Sequence, residues 1–167
     1  LESYAPPWPL PKIFRLTRDG KLNEALFRGE TINTPSLLAV EDYLDALRWA
    51  QSIGGLDALT ARVEANARTV ADWVERTPWI AHLAKDPATR SSTSLCLVFS
   101  NQSVAQTEAD RAELARAMVA LIEREGAGYD FGAYRDAPPG FRIWCGATVE
   151  ASDIAALLPW LDWAYLY

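Results

Sequence analysis

The spacing of apolar residues predicts two consecutive amphipathic helices in the first half of the chain. One runs over about residues 35–52 and stops at Gly54 and Gly55, because glycine favours a helix end. A second follows and ends before Pro78, since the residue before a proline avoids helical geometry. The apolar stripes that carry the two helices are Leu37, Val40, Leu44 and Leu47, and Leu56, Leu59, Val63, Val70 and Trp73.

Two further helices are predicted in the second half. The sequence from Thr107 to Asp110 has the form of a capping box, and an apolar face follows as far as Gly126. A last helix should begin around Ser152 and Asp153, whose side chains can accept hydrogen bonds from the free N–H groups of a helix start.

Alternating and β-branched segments between these helices predict strands over residues 93–99, 129–134 and 141–145. Residues 1–33 are rich in proline and glycine and suit an irregular segment or a short hairpin. From residue 55 onward the predicted order is helix, strand, helix, strand, strand, helix. This order favours an α/β sandwich of the α+β kind, in which helices cover a mostly antiparallel sheet.

We place a domain boundary where glycines follow the first long helix. Residues 1–53 would then form the end of a larger domain and a connecting helix, and residues 54–167 a small C-terminal domain. The chain begins at Leu1 rather than Met, and an apolar run continues to Tyr167, so we expect a fragment of a longer protein.

Composition excludes several classes of partner. The formal net charge is −6 and the arginines are dispersed among acids, which argues against nucleic-acid binding. No apolar run is long enough to cross a membrane. Cys96 and Cys145 are the only cysteines, too few for a disulfide framework, so we expect a reducing, cytoplasmic compartment.

The start of the first long helix is a candidate anion site. Thr34 is a suitable cap, Pro35 suits the first helical position, and the next N–H groups are free to bind an anion. The Asn33 amide and the Thr34 hydroxyl add donors. An ordinary capped helix explains the same residues.

Arg142 is a second candidate because it alternates with apolar neighbours in a predicted strand. Phe141 and Ile143 should face the core, which directs the guanidinium to the other side, beside Trp144. A half-buried arginine needs an anion, and a structural ion pair is the alternative to a ligand. The candidate partners for such a pair are Asp130, Asp136 and Glu150.

Several motifs resemble the phosphoserine aminotransferases, which depend on pyridoxal 5′-phosphate and have the type I fold. They are Pro-Lys-Ile-Phe-Arg-Leu (11–16), Gly-Glu-Thr-Ile-Asn-Thr-Pro-Ser (29–36) and Asp-Tyr-Leu-Asp-Ala-Leu (42–47). The segment 134–150 resembles the substrate-binding C-terminal part of the family, and 161–163 its final helix. The resemblance covers nearly the whole chain and implies the C-terminal portion of such an enzyme.

The resemblance implies roles for four residues. Asn33 and Thr34 would bind the cofactor phosphate of the neighbouring subunit in a homodimer, and Arg142 would clamp the substrate α-carboxylate through two parallel hydrogen bonds. Arg135 would bind the phosphate of phosphoserine, although relatives carry a His-Arg pair where this chain has Tyr134 and Arg135. A solvated loop arginine is the alternative at Arg135.

The lysine that bonds covalently to the cofactor is expected outside this sequence, because Lys12, Lys21 and Lys85 do not match the lysine motif of the family. His82 has no neighbouring metal ligand and suits packing, and Cys145 has no histidine to activate it. No residue of this chain is therefore expected to be catalytic.

The resemblance implies an enzyme that transfers an amino group between L-glutamate and 3-phosphohydroxypyruvate in serine biosynthesis, with this portion inactive alone. Two alternatives remain. The parent could be a related aminotransferase with another oxo-acid acceptor, or the chain could be a non-catalytic dimerisation module that binds a carboxylate or phosphate.

Overall fold

The computed structural model describes residues 7–9, 11–14 and 16–167. Residues 1–6, Leu10 and Arg15, which belong to the segment predicted to be irregular, lie outside this part. The chain divides into two compact units, Leu1–Trp49 and Ala50–Tyr167. The assignment of residues 1–53 to the end of a larger domain stays a prediction.

Four helices and five strands make up the regular structure of the described residues. The helices are α1 (Leu37–Ser52), α2 (Gly55–Arg76), α3 (Glu108–Arg124) and α4 (Ala151–Leu166). The strands are β1 (Thr17–Arg18), β2 (Lys21–Leu22), β3 (Ile80–His82), β4 (Ser94–Phe99) and β5 (Gly140–Trp144). Short 3₁₀ turns cover Lys12–Phe14, Glu24–Arg28 and Pro87–Thr89.

The first unit contains the short hairpin that the sequence predicts. Strands β1 and β2 pair antiparallel, and the turn between them has positive φ at Asp19 (53°) and Gly20 (72°). Positive φ at both central residues matches the right-handed twist of the flanking strands, and Asp-Gly is among the sequences that tolerate it best.

Helix α1 begins two residues later than predicted. The N–H of Ala39 donates to the Ser36 Oγ (3.4 Å), and the N–H of Val40 donates to the Ser36 carbonyl, so Ser36 caps the helix. The prediction that Thr34 is the cap and Pro35 the first helical residue is therefore wrong. Serine ranks above threonine as a cap, and the proline can precede it in extended geometry.

The second unit is built on a three-stranded antiparallel sheet of order β3-β4-β5, which confirms the predicted sheet type. Strand β3 was not predicted, because three residues after Pro78 give too short a pattern. The predicted strand over residues 129–134 is wrong, since that segment makes a single isolated bridge, from Gly132 to Phe141. Asp130 has φ +53° there, which takes the backbone out of extended geometry.

One face of this sheet carries the core. Helices α2, α3 and α4 cover the core on the side away from the sheet, and α2 and α4 pack against each other. An aromatic cluster runs through the core, with Trp79 stacked on Tyr165 at 4.2 Å between ring centroids and Trp73 edge-on to Trp79. The Trp73 indole N–H donates to Asp162 Oδ2 (3.0 Å), so the buried polar atom of that side chain is satisfied.

The capping box of α3 is confirmed. The N–H of Asp110 donates to the Thr107 Oγ1 (3.1 Å), and the N–H of Thr107 donates to Asp110 Oδ2 (3.2 Å). Hydrogen bonding with the side chain of Thr107, and then with its backbone, lowers the pKa of the Asp110 carboxyl group. Helix α4 instead begins at Ala151 with Glu150 as its cap residue and without a side-chain cap bond, so the predicted cap at Ser152 and Asp153 is wrong.

Candidate functional site

Strand β5 places Arg142 on the face of the sheet opposite the core. Phe141 and Ile143 are buried, whereas Arg142 lies on the other face with its side chain 18% exposed. Cys96 of β4 is its direct cross-strand neighbour. The alternation therefore directs Arg142 as predicted, away from the apolar wall and towards a cavity.

The Arg142 guanidinium is only partly satisfied. Its Nη2 donates to Asp130 Oδ2 (3.2 Å) and to the Asp130 carbonyl (3.4 Å), while its Nε is buried and has no hydrogen-bond partner in the part of the chain that the structure describes. The Asp130 side chain is 91% exposed, and an ion pair with such an exposed carboxylate is weak. The ion-pair alternative is thus realised with Asp130, through a single nitrogen. A second buried donor remains free.

An open cavity of about 480 Å³ adjoins this guanidinium. Its walls include Tyr129, Asp130, Phe131, Arg142, Trp144 and Asp153. The Trp144 indole lies close over Gly146, where a Cβ would meet the ring at 2.5 Å. Glycine is therefore required at position 146 if the Trp144 ring is to lie there.

Two residues of α2 hold the turn that follows β5, and sequence reasoning missed both. Asn66 is 1% exposed, and its Nδ2 lies 2.9–3.3 Å from the carbonyls of Cys145, Gly146 and Val149. Arg62 donates from Nε to the Ala147 carbonyl (2.8 Å) and pairs with Glu150. The signal was an asparagine on the apolar stripe of α2, where a buried amide needs hydrogen-bond partners.

Arg135 lies beside a different cavity. It is exposed and lines a space of about 450 Å³ between the loop after residue 132 and helix α3, which Arg116 also lines. Within the described part of the chain, neither arginine has an ion-pair partner. The structure does not bring Arg135 and Arg142 into one cavity.

Asn33 and Thr34 belong to the first unit and are exposed. Their side chains have no hydrogen-bond partner among the described residues. They precede the Ser36 cap of α1, whose first N–H groups, of Leu37 and Leu38, have no partner within the helix. Anion binding at this helix start stays a prediction, and the helix itself begins two residues further on than predicted.

The remaining candidates have the environments of packing residues. Burial raises the pKa of Cys145 to about 11, which makes its thiol a poor nucleophile near neutral pH. His82 lies in β3 opposite Leu97, and its pKa is lowered by burial and then by Arg90. The described residues contain no group of three potential metal ligands, and none of their helices has the length and apolar character needed to cross a bilayer.

Comparison with known proteins identifies close relatives. The chain is 49% identical over 165 residues to the phosphoserine aminotransferase of Methanosarcina mazei, and 28% identical over 137 residues to that of a Nocardioides species. These matches cover 99% and 81% of this chain, but only 42% and 34% of the relatives. No protein-family model matches.

Solved structures agree on the fold. The phosphoserine aminotransferase of Bacillus circulans subsp. alkalophilus superposes with a TM-score of 0.67 at 19% identity, over 80% of this chain and 34% of the other. The pyridoxal-phosphate-bound enzyme of Trichomonas vaginalis gives 0.66 at 18% identity, over 82% and 36%. The chain is therefore similar in sequence to the phosphoserine aminotransferases over about two fifths of their length and shares the fold of the solved ones, which fits a C-terminal portion of such an enzyme.

Proposed function

We propose that the protein containing this sequence transfers an amino group between L-glutamate and 3-phosphohydroxypyruvate, with pyridoxal 5′-phosphate as its cofactor. The names of the relatives support the reaction, and the cofactor is bound in the Trichomonas vaginalis structure. The chain spans about two fifths of the length of the two Methanosarcina relatives, so it would supply part of the active site.

The observation that carries the proposal is the free Nε of Arg142. A planar guanidinium can bind a carboxylate through two parallel hydrogen bonds, and Nε with Nη2 forms one of the edges that can do so. Asp130 takes only Nη2 and is largely exposed, so a substrate α-carboxylate could replace it at small cost. Lysine offers a single point charge and could not reproduce this geometry.

The residues of the first unit fit the cofactor's phosphate. Asn33 and Thr34 offer exposed donors that have no partner among the described residues, beside the capped start of α1, and both the donors and the helix dipole favour an anion. The cofactor supplies the electron sink that amino-group transfer requires. These two residues would hold its phosphate across the interface of a homodimer, and the catalytic lysine would lie outside this sequence.

The proposed setting is cytoplasmic serine biosynthesis. Phosphate binding by Arg135 is part of the proposal, and it is supported by an exposed arginine that has no ion-pair partner in the described residues. Because Arg135 and Arg142 line different cavities, one substrate molecule need not contact both within a single chain.

The test is to assay the intact protein with L-glutamate and a panel of oxo acids, as the wild type and as Arg142→Lys. We expect 3-phosphohydroxypyruvate to be the preferred acceptor. We expect Arg142→Lys to lower kcat/KM roughly tenfold to a hundredfold, which is the effect of losing a charge-assisted bidentate bond. Preference for another oxo acid would indicate the related-aminotransferase alternative. Unchanged kinetics in the variant would remove Arg142 from the site.

A further inference from the structure

We infer that Tyr134 is a positioning residue for Arg142, which it holds ready for a carboxylate. The guanidinium carbon of Arg142 lies 4.7 Å from the centre of the Tyr134 ring. A cation over an aromatic face at this distance is attracted by the ring quadrupole. The inference rests on the proposed function of Arg142.

The short segment from Asp130 to Tyr134 surrounds Arg142 on several sides. Asp130 accepts from Nη2 through both its side chain and its carbonyl, and the Phe131 carbonyl accepts from the Arg142 backbone N–H at 2.8 Å. The guanidinium carbon of Arg142 lies over the face of the Tyr134 ring. The aromatic ring accepts no hydrogen bond from the buried Nε, which has no partner among the described residues.

This arrangement gives a physical reason for the absence of a strand in the segment. A regular strand would direct alternate side chains to opposite faces of the sheet, so the segment could not curve around Arg142. The positive φ of Asp130 instead changes the chain direction just before Phe131. The segment makes one bridge to β5, from Gly132, and it also buries Phe131 against Phe141.

The contact with Tyr134 contributes to binding rather than to the core. Tyr134 is 60% exposed, so its removal uncovers little apolar surface. A mobile arginine side chain loses conformational entropy when it binds an anion, because several of its bonds can no longer rotate freely. A side chain that is already held in place loses less. Tyr134 should therefore matter for carboxylate affinity and little for folding.

The test uses the intact protein that contains this chain and the side-chain Nε–H resonance of Arg142 in ¹⁵N NMR spectra, assigned by its loss in Arg142→Lys. The protein is titrated with L-glutamate and with L-isoglutamine, in which an amide replaces the α-carboxylate. The variants are Tyr134→Leu and Tyr134→Phe, and Tyr43→Leu is a matched control that removes another exposed tyrosine. Urea unfolding of each variant reports on the fold.

We expect L-glutamate to shift the Arg142 resonance saturably and L-isoglutamine to leave it unchanged. Tyr134→Leu should lower glutamate affinity roughly two- to fivefold, the range for an exposed cation–π contact, and move the resonance downfield as the ring current is lost. Tyr134→Phe keeps the ring and should match the wild type, as should Tyr43→Leu.

Two failures are distinguishable. If Tyr134→Leu keeps both the wild-type affinity and the wild-type resonance, the inference is wrong and the proposed role of Arg142 is untouched. If the wild type gives no saturable shift, or Arg142→Lys binds L-glutamate as the wild type does, the proposed role of Arg142 is wrong and the inference falls with it. A loss of stability in Tyr134→Leu without a change in affinity would make Tyr134 structural.

Discussion

Helices α1 and α2 are predicted by the same kind of apolar stripe, yet they differ in what they bury. Helix α2 buries Asn66, Val70 and Trp73 and packs against α4 and β3. Helix α1 buries none of its residues, and Leu37, Leu38 and Leu47 of its apolar positions are exposed. A stripe predicts that a helix has an apolar face, but it does not say whether the partner of that face belongs to the same chain.

The difference separates two sources of stability. The unit Ala50–Tyr167 carries its own core, so its fold should depend on buried side chains within it. The described part of the first unit has exposed apolar residues, and its long helix α1 has no buried residue. Its helix should gain stability mainly from contacts with another surface.

The largest effect is expected from breaking the core of the second unit. Phe141 is 1% exposed and contacts Phe99 and Phe131, so Phe141→Ala should lower the free energy of unfolding by about 3–5 kcal/mol. Phe27 is 75% exposed in the first unit, and Phe27→Ala should change the free energy of unfolding by less than about 0.5 kcal/mol. Urea unfolding followed by tryptophan fluorescence measures both. Equal losses would contradict the comparison.

A smaller effect is expected from the amide that joins α2 to the turn after β5. Asn66→Ala leaves the carbonyls of Cys145, Gly146 and Val149 without their common donor, which should cost about 1–3 kcal/mol of unfolding free energy. Amide hydrogen exchange should rise first in residues 145–150. Asn101→Ala is the matched control, since Asn101 is exposed. Protection that is unchanged at the turn would show that Asn66 does not hold it.

The smallest effect on stability, and a distinct effect on association, is expected in α1. Leu38→Glu with Leu47→Glu removes two exposed apolar side chains, so unfolding should change by less than about 0.5 kcal/mol. Self-association of the wild type, measured by sedimentation velocity, should decrease in this variant because the apolar face is interrupted. Leu56 is exposed at the start of α2, and Leu56→Glu should leave the self-association unaltered. A wild type that sediments as a clean monomer would contradict the expectation.

The start of a helix was predictable where side chains hydrogen-bond to backbone N–H groups within the same turn. Thr107 and Asp110 satisfy each other's N–H groups within one turn, so the start of α3 could be read without tertiary contacts. The predicted start of α1 failed by two residues because Thr34 and Ser36 are both suitable caps. Their ranking depends on small differences in free energy.

The site was predictable only in part, for a similar reason. The alternation of β5 predicts the direction of Arg142, because it depends on strand geometry alone. Asp130 was one of three candidate ion-pair partners, and the sequence could not choose among them. Tyr134 was not predicted as a neighbour of Arg142, since it reaches the arginine only after the segment departs from strand geometry. Asn66 was missed because its three acceptors are about 80 residues away in sequence.

The sequence by itself determined four helices, the antiparallel sheet type, the direction of Arg142 and the similarity to the phosphoserine aminotransferases. These follow from periodicity, capping and motifs, which act over a few residues or are carried by residue identity. Only the tertiary structure decided which helix faces are covered, what surrounds Arg142, and that Arg135 lines a different cavity. Such features depend on contacts between residues far apart in sequence, and a local pattern contains no record of them.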